Sequence, residues 1–292
     1  MATSSKKPKI LVIVGPTASG KSELALKIAK KFNGEIIAAD SRTIYQGMDT
    51  GTAKPSSNEQ SEIHHWGLDL IEPGQNFSAA QFKNYALEKI NDIQSRAKLP
   101  ILVGGTGLYV DGILFNLSFV KTSKLRRLIY SLLSIEKLQK IIQQRDWPLP
   151  ENLHNKRYLI RTLERKGKIG FKQSSLPANT LLIGLMPPDD ILRQRINNRA
   201  EEIFKAGIIA ETKNLLKKYG RRKLIRTGGI AYKFSIGVVR GEISEEEAKE
   251  LFKNADWQYA RRQKTWFKRN KFIQWHESGE EAFTSLSQLL NK

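Results

Sequence analysis

Gly15, Pro16, Thr17, Ala18, Ser19, Gly20, Lys21 and Ser22 follow one another in the spacing G-x-x-x-x-G-K-[ST]. The chemistry such a stretch performs is phosphate binding. Its glycines let the backbone curl until successive N–H groups converge on phosphate oxygens. The helix that follows adds the positive end of its dipole, Lys21 brings a point charge, and Ser22 can hold Mg2+. The loop specifies a di- or triphosphate without saying which. A second residue with chemical reach is Asp40, at the end of the apolar run Ile36–Ala39. A carboxylate beside a phosphate loop can order Mg2+, bind a ribose or take a proton from an acceptor nucleophile. The plain alternative is a turn cap, with Ser41 next to it.

These residues need a strand before the loop and a helix after it. Ile10–Val14 is an apolar run of strand length, and Glu23–Phe32 sets Leu24, Ala25, Ile28 and Ala29 on one helical face. Ser78 with Gln81 reads as a capping box opening a helix with Phe82, Tyr85, Ala86, Ile90 and Ile93 inward. Further strands are expected at Ile101–Val103, Leu181–Leu185 and Phe272–Trp275. Strand and helix in alternation predict an α/β fold, a phosphate-loop parallel sheet flanked by helices, with ligands at the carboxyl ends of the strands. Between 116 and 178 the spacing turns helical (Leu125, Leu128, Ile129, Leu132, Leu133), which predicts a small helical insertion in a core made of 1–115 and 179–292. Ser244 with Glu247 opens a long helix predicted to run to about Arg269.

Composition narrows the partners. There is no cysteine, hence no disulfide and no thiolate metal site. No apolar run approaches a membrane span, and "MATSSKKPK" has no signal-peptide core behind it, so the cytoplasm is the expected compartment. The net charge of +20 is uneven: +2 over residues 1–112, +10 over 121–172 and +11 over 213–271. Two later segments are therefore built for a polyanion, against the plainer reading of solvated helix faces. Arg157, Arg161 and Arg165 recur at helical spacing in the first; Arg261 and Arg262 stand in the second, beside Trp257 and Trp266, which are expected in the core.

A motor ATPase usually ends a neighbouring strand in a carboxylate, whereas "PILVGGTGLYVDG" runs into Gly104-Gly105-Thr106-Gly107. Asp69 is the remaining carboxylate, set in an apolar run that suits structure equally. In order along the chain stand "GPTASGKS", "ADSRTIYQGMDTGTAKP", "SAAQF", "GGTGLYVDG", "NKRYLIRTLE" and "YARRQKTWFKR". Together they resemble the tRNA dimethylallyltransferase (tRNA isopentenyltransferase) family, from Ile10 to about Trp275.

The resemblance implies transfer of a dimethylallyl group from dimethylallyl pyrophosphate to N6 of the adenosine 3′-adjacent to a tRNA anticodon, with Mg2+. It implies that Asp40 is the base, that Thr106 lies near the reacting groups, and that Lys21 and the loop hold the pyrophosphate. Ser41, Arg42 and Thr43 would face the adenosine, flipped out of its stack. Arg226 would touch tRNA, and Lys233 would end that stretch near the pyrophosphate. The adjacent His64 and His65 match a family pair and are expected to be structural. A monomer is the expected form. The sequence departs from the family at Thr43, usually Gln; at Ala231, usually Gly; and at Asp256-Trp257, usually Thr-Arg. A small-molecule kinase would explain the loop and Asp40 but not the basic segments. An RNA-binding ATPase would explain the charge but not Asp40 or Thr106.

Overall fold

The computed structural model describes residues 10–119, 123–168 and 173–291. Residues 1–9, where no signal peptide is expected, lie outside the described residues. Two compact units are present, one of residues 1–113 with 176–292, the other of 114–175.

The larger unit is an α/β sandwich. Its strands are β1 (Ile10–Val14), β2 (Gly34–Ala38), β3 (His65–Trp66), β4 (Leu99–Gly104), β5 (Thr180–Leu185) and β6 (Gln274–His276). They lie side by side in the order β3-β2-β4-β1-β5-β6, every pairing parallel. The expected parallel sheet is thus present. The last strand falls two residues later than expected, because Asn270 and Phe272 form a turn before it.

Helix α1 (Lys21–Lys31) follows β1 after the loop 15–20, and Leu24, Ala25 and Ile28 bury against Leu11, Ile13, Ile36 and Ile183 of the sheet. Helix α2 (Ser57–Glu62) carries a capping box from Ser56 and Glu59 that sequence reading passed over. The expected box at Ser78 and Gln81 caps α3 (Ala79–Ser95), and α4 (Gly107–Leu114) leaves the end of β4.

The smaller unit holds α5 (Lys124–Leu132), α6 (Ile135–Gln143) and α7 (Lys156–Glu164). Its own core is Leu138, Ile142, Leu159, Ile160 and Leu163. Glu164, buried there, is matched by a two-pronged contact from Arg127 at 2.8 and 2.9 Å. Leu125, Leu128, Ile129 and Leu132 are exposed along α5.

The chain then returns to the larger unit as α8 (Asp189–Lys205), α9 (Ile208–Tyr219), α10 (Arg221–Thr227), α11 (Gly229–Val239), α12 (Glu245–Phe267) and α13 (Gly279–Leu290). A second core of this unit joins Ile44 and Met48 to Phe204, Ile208, Tyr232, Ile236 and Phe252. It fastens the loop after β2 to the helices. No helix among the described residues is long and apolar enough to cross a membrane.

One buried carboxylate secures the edge of the sheet. Glu35 of β2 accepts from Arg96, from Lys98 at 2.7 Å and from Trp66 Nε1 at 2.9 Å. Arg96 first of all holds its carboxyl down at about 2, against the opposing effect of burial. A lowered folded value stabilises the fold above the ordinary carboxylate value of about 4.5. That contribution is lost as pH falls through about 2. The thermal midpoint should therefore fall more steeply with acid in the native protein than in Glu35→Gln. Parallel acid slopes in thermal melts would contradict this.

Candidate functional site

The site begins where β1 ends. Gly20 takes a left-handed backbone (φ 91°) that lets the loop turn into α1. Lys21 folds back over the loop, donating to the Pro16 carbonyl and to Ser19 Oγ at 3.3 Å. Burial lowers its pKa to about 8; Asp40 and Asp256 oppose the shift and Arg199 adds to it. An ammonium with so little water around it is poised to gain an anionic partner.

Asp40 lies just past β2, at the same edge of the sheet. Its Oδ1 accepts the Arg42 N–H at 2.7 Å, and the Ser41 N–H donates to Thr106 Oγ1 at 3.1 Å. The turn after β2 is thus tied to the turn after β4. Tyr259 of α12 also meets Thr106; burial first, then the nearby Asp40 charge, pushes its pKa up to about 12, so it stays protonated. The Arg42 guanidinium reaches the Thr227 carbonyl at 2.8 Å. Thr43 is buried, and its hydroxyl has no protein partner among the described residues.

The loop, Asp40–Thr43, Gly104–Leu108 and residues of α8, α11 and α12 line one cavity of about 790 Å3. Part of its wall is apolar, from Ala25, Ile36, Ala38, Leu68 and Val103. Arg199, Asp256, Tyr259 and Gln263 line it too. Gln263 is a clasp: Oε1 accepts the Thr17 N–H at 2.8 Å, and Nε2 donates to the Gly105 carbonyl at 2.9 Å. Gly105 has no room for a side chain, since a Cβ there would sit 2.1 Å from Gln263 Nε2. Asp256 accepts from Arg199 at 3.0 Å and from Thr17 Oγ1 at 3.5 Å. Burial raises its pKa, offset in part by Arg199.

The lining stretch 51–53 is shaped by Glu211. Its carboxylate accepts the N–H groups of Asp49, Thr50 and Gly51 at 3.2, 2.8 and 3.3 Å, together with the Tyr232 hydroxyl. Lys54 is buried between Asp49 and Asp69, at 2.7 and 2.6 Å, which gives Asp69 a structural role.

A phosphate loop, an aspartate, a Gly-Gly-Thr-Gly turn and a partly apolar cavity are thus assembled by a chain whose residues 43–270 match the family described as IPP transferase. The chain belongs to that family. It is 37% identical over 292 residues to the tRNA dimethylallyltransferase of Staphylococcus epidermidis, covering 94% of this chain and 88% of the relative. A solved tRNA isopentenylpyrophosphate transferase from Bacillus halodurans superposes with a TM-score of 0.72 at 32% identity, over 98% of this chain and 97% of that one. A solved eukaryotic dimethylallyltransferase acting on tRNA gives a TM-score of 0.73 at 26% identity, over 88% of this chain and 69% of that one.

Within this IPP transferase fold, the expected site residues fall into two groups. Thr17–Ser22, Asp40–Thr43 and Thr106 share the cavity, as does Arg262. Lys233 does not: it is exposed, its ammonium 5.1 Å from the Phe234 ring. It turns outward because the buried face of α11 is taken by Ala231, Tyr232, Ser235 and Ile236. The second cation at the loop is Arg199. Arg226 and Arg261 are exposed; Arg261, Arg262 and Arg269 line a basic groove of about 490 Å3 with Trp266. Trp266 is not a core residue: it is 39% exposed and donates to Asp111 at 3.0 Å. Arg157 and Arg161 are exposed on α7, while Arg165 caps its end and is half-buried. His65 is half-buried, bonded to the Ile63 carbonyl at 2.7 Å, and also lines the cavity.

Sequence reasoning missed Arg199, Tyr259, Gln263 and Glu211. A signal for one of them existed: the buried stripe of α12 runs Ala248, Phe252, Asp256, Ala260, Gln263, Phe267, with two polar residues among apolar ones. Buried polar side chains at helical spacing demand partners.

Proposed function

We propose that this protein is a tRNA dimethylallyltransferase. It moves a dimethylallyl group from dimethylallyl pyrophosphate to N6 of the adenosine 3′-adjacent to the anticodon. The observation that carries the reading is the composition of one cavity: phosphate loop at one end, carboxylate beside it, apolar wall between β2 and β4. A small isoprenoid diphosphate has that same division. The family match speaks against a kinase, and a motor ATPase would want a carboxylate where β4 ends in glycine.

The loop N–H groups and Lys21 stabilise the charge that gathers on pyrophosphate as the C1–O bond of the donor breaks. N6 of adenine attacks C1, and its proton passes to Asp40. The base matters because the N6 lone pair is delocalised into the ring. Thr106 and the unpartnered Thr43 hydroxyl offer polar contacts to the adenosine. The residues fit Mg2+ held mainly by its substrate: Ser22 lines the cavity, and no cluster of carboxylates or histidines among the described residues could cage a metal. Mg2+ characteristically takes one or two protein ligands and the rest from phosphates and water. When bound, it would neutralise the leaving group.

We assign to the basic residues Arg157, Arg161 and Arg165 of the 114–175 unit, and to Arg226, Arg261 and Arg262, contacts with tRNA phosphates. The protein would act in the cytoplasm as a monomer. The test is incubation with an anticodon stem-loop and either labelled dimethylallyl pyrophosphate or γ-labelled ATP. Label from the first donor should enter the RNA. Phosphoryl transfer to a small acceptor, or RNA-stimulated phosphate release, would replace this reading with a kinase or an ATPase.

A further inference from the structure

We propose that Asp256 and Gln263 close the Thr17 end of the phosphate loop and thereby select a diphosphate over a triphosphate. The inference rests on the loop's being a phosphate site, as the proposed function requires.

A row of phosphates lying along such a loop runs from the N-terminus of α1 back toward Thr17. At that end the Thr17 amide is already engaged by Gln263 at 2.8 Å. Gln263 cannot easily withdraw, because its other end is bonded to the Gly105 carbonyl and the side chain is buried. Beyond Thr17 stands the Asp256 carboxylate, itself buried, its Oδ2 within 3.5 Å of the Thr17 hydroxyl. A third phosphate would meet a filled amide and a negative charge. The cation that could have received it, Arg199, is held by Asp256 at 3.0 Å and by the Thr17 hydroxyl. A specificity element made of an opposing charge rejects the longer ligand without weakening the shorter one.

The other charged groups near the loop include cations and Asp40. Arg195 bonds the Ser19 carbonyl at 3.3 Å, and Asp40, just past β2, acts on Lys21. General attraction alone would therefore favour the more highly charged ligand, opposite to the preference proposed.

The probes are inorganic pyrophosphate and tripolyphosphate with Mg2+, titrated calorimetrically into the full-length protein. The native protein should bind pyrophosphate at least about tenfold more tightly. Asp256→Asn should narrow that preference by about tenfold, through a gain in tripolyphosphate affinity as the repulsion goes and Arg199 is released. Gln263→Ala should shift it in the same direction by freeing the Thr17 amide. Native protein that prefers tripolyphosphate overturns the proposal whether or not the variants fold. So do variants that lose both ligands equally, which would make Asp256 only a support for Arg199. Native protein that binds neither ion overturns this inference together with the phosphate site. Binding of pyrophosphate without the selectivity overturns the inference alone and leaves prenyl transfer, scored separately by label entering RNA, untouched.

Discussion

Asp40→Ala should lower turnover by about 10²-fold or more while affinity for an anticodon stem-loop changes little. A base that acts as the C–N bond forms contributes in the transition state and scarcely before it. The carboxylate is held in place for this: Oδ1 takes the Arg42 amide at 2.7 Å, and the next residue is fastened to Thr106. Asp40→Asn separates the two roles of the side chain. It keeps an oxygen for the Arg42 amide but cannot accept a proton, so it should be nearly as slow as the alanine variant with the turn intact. Single-turnover rates decide the matter. An asparagine variant at near-native rate would remove Asp40 from the chemistry and leave it as a turn cap.

Lys21→Ala should weaken donor binding and slow the chemical step together, by roughly 10²–10³ in rate, since the same charge meets the pyrophosphate before and during its departure. The native lysine also sets a pH dependence. Burial holds it at about 8, and an arriving pyrophosphate favours its charged form. Below that pH the ammonium is already present. Above it, binding must take up a proton, so donor affinity should fall as pH rises past about 8. Titrations in two buffers of different ionisation enthalpy measure the uptake directly. Proton-neutral binding at alkaline pH would refute the assignment, as would a Lys21→Ala variant with native donor affinity.

What could be read in advance was what local sequence determines. The loop, the apolar run that ends before Asp40 and the box at Ser78 are written in runs of a dozen residues or fewer. So are the parallel sheet and its helices, because apolar periodicity and turn residues suffice for them. The groups that close the loop were not legible in that way. Arg199, Asp256 and Gln263 lie far along the chain and reach Thr17 only after the helices have packed. Lys233 shows the converse. A basic residue at a suggestive position turned outward because Tyr232, its neighbour, claimed the interior and the Glu211 carboxylate. Which of two adjacent residues faces inward is decided by packing, and the phase of a short helix such as α11 is weakly marked when nearly every residue in it is apolar or small.

The clasp between Gln263 and Thr17 has a temporal side. Its two ends are 246 residues apart in the chain. At ordinary rates of synthesis, roughly 5–20 residues per second, the loop emerges from the ribosome roughly 12 to 50 s before its clasp does. For the first part of that interval β1 lacks β5, its neighbour on one side, and throughout it Thr17 lacks its partner. The nascent N-terminal half is then an unclosed phosphate loop on an unfinished sheet. Selection of the diphosphate is thereby deferred to the last stage of synthesis, when α12 arrives.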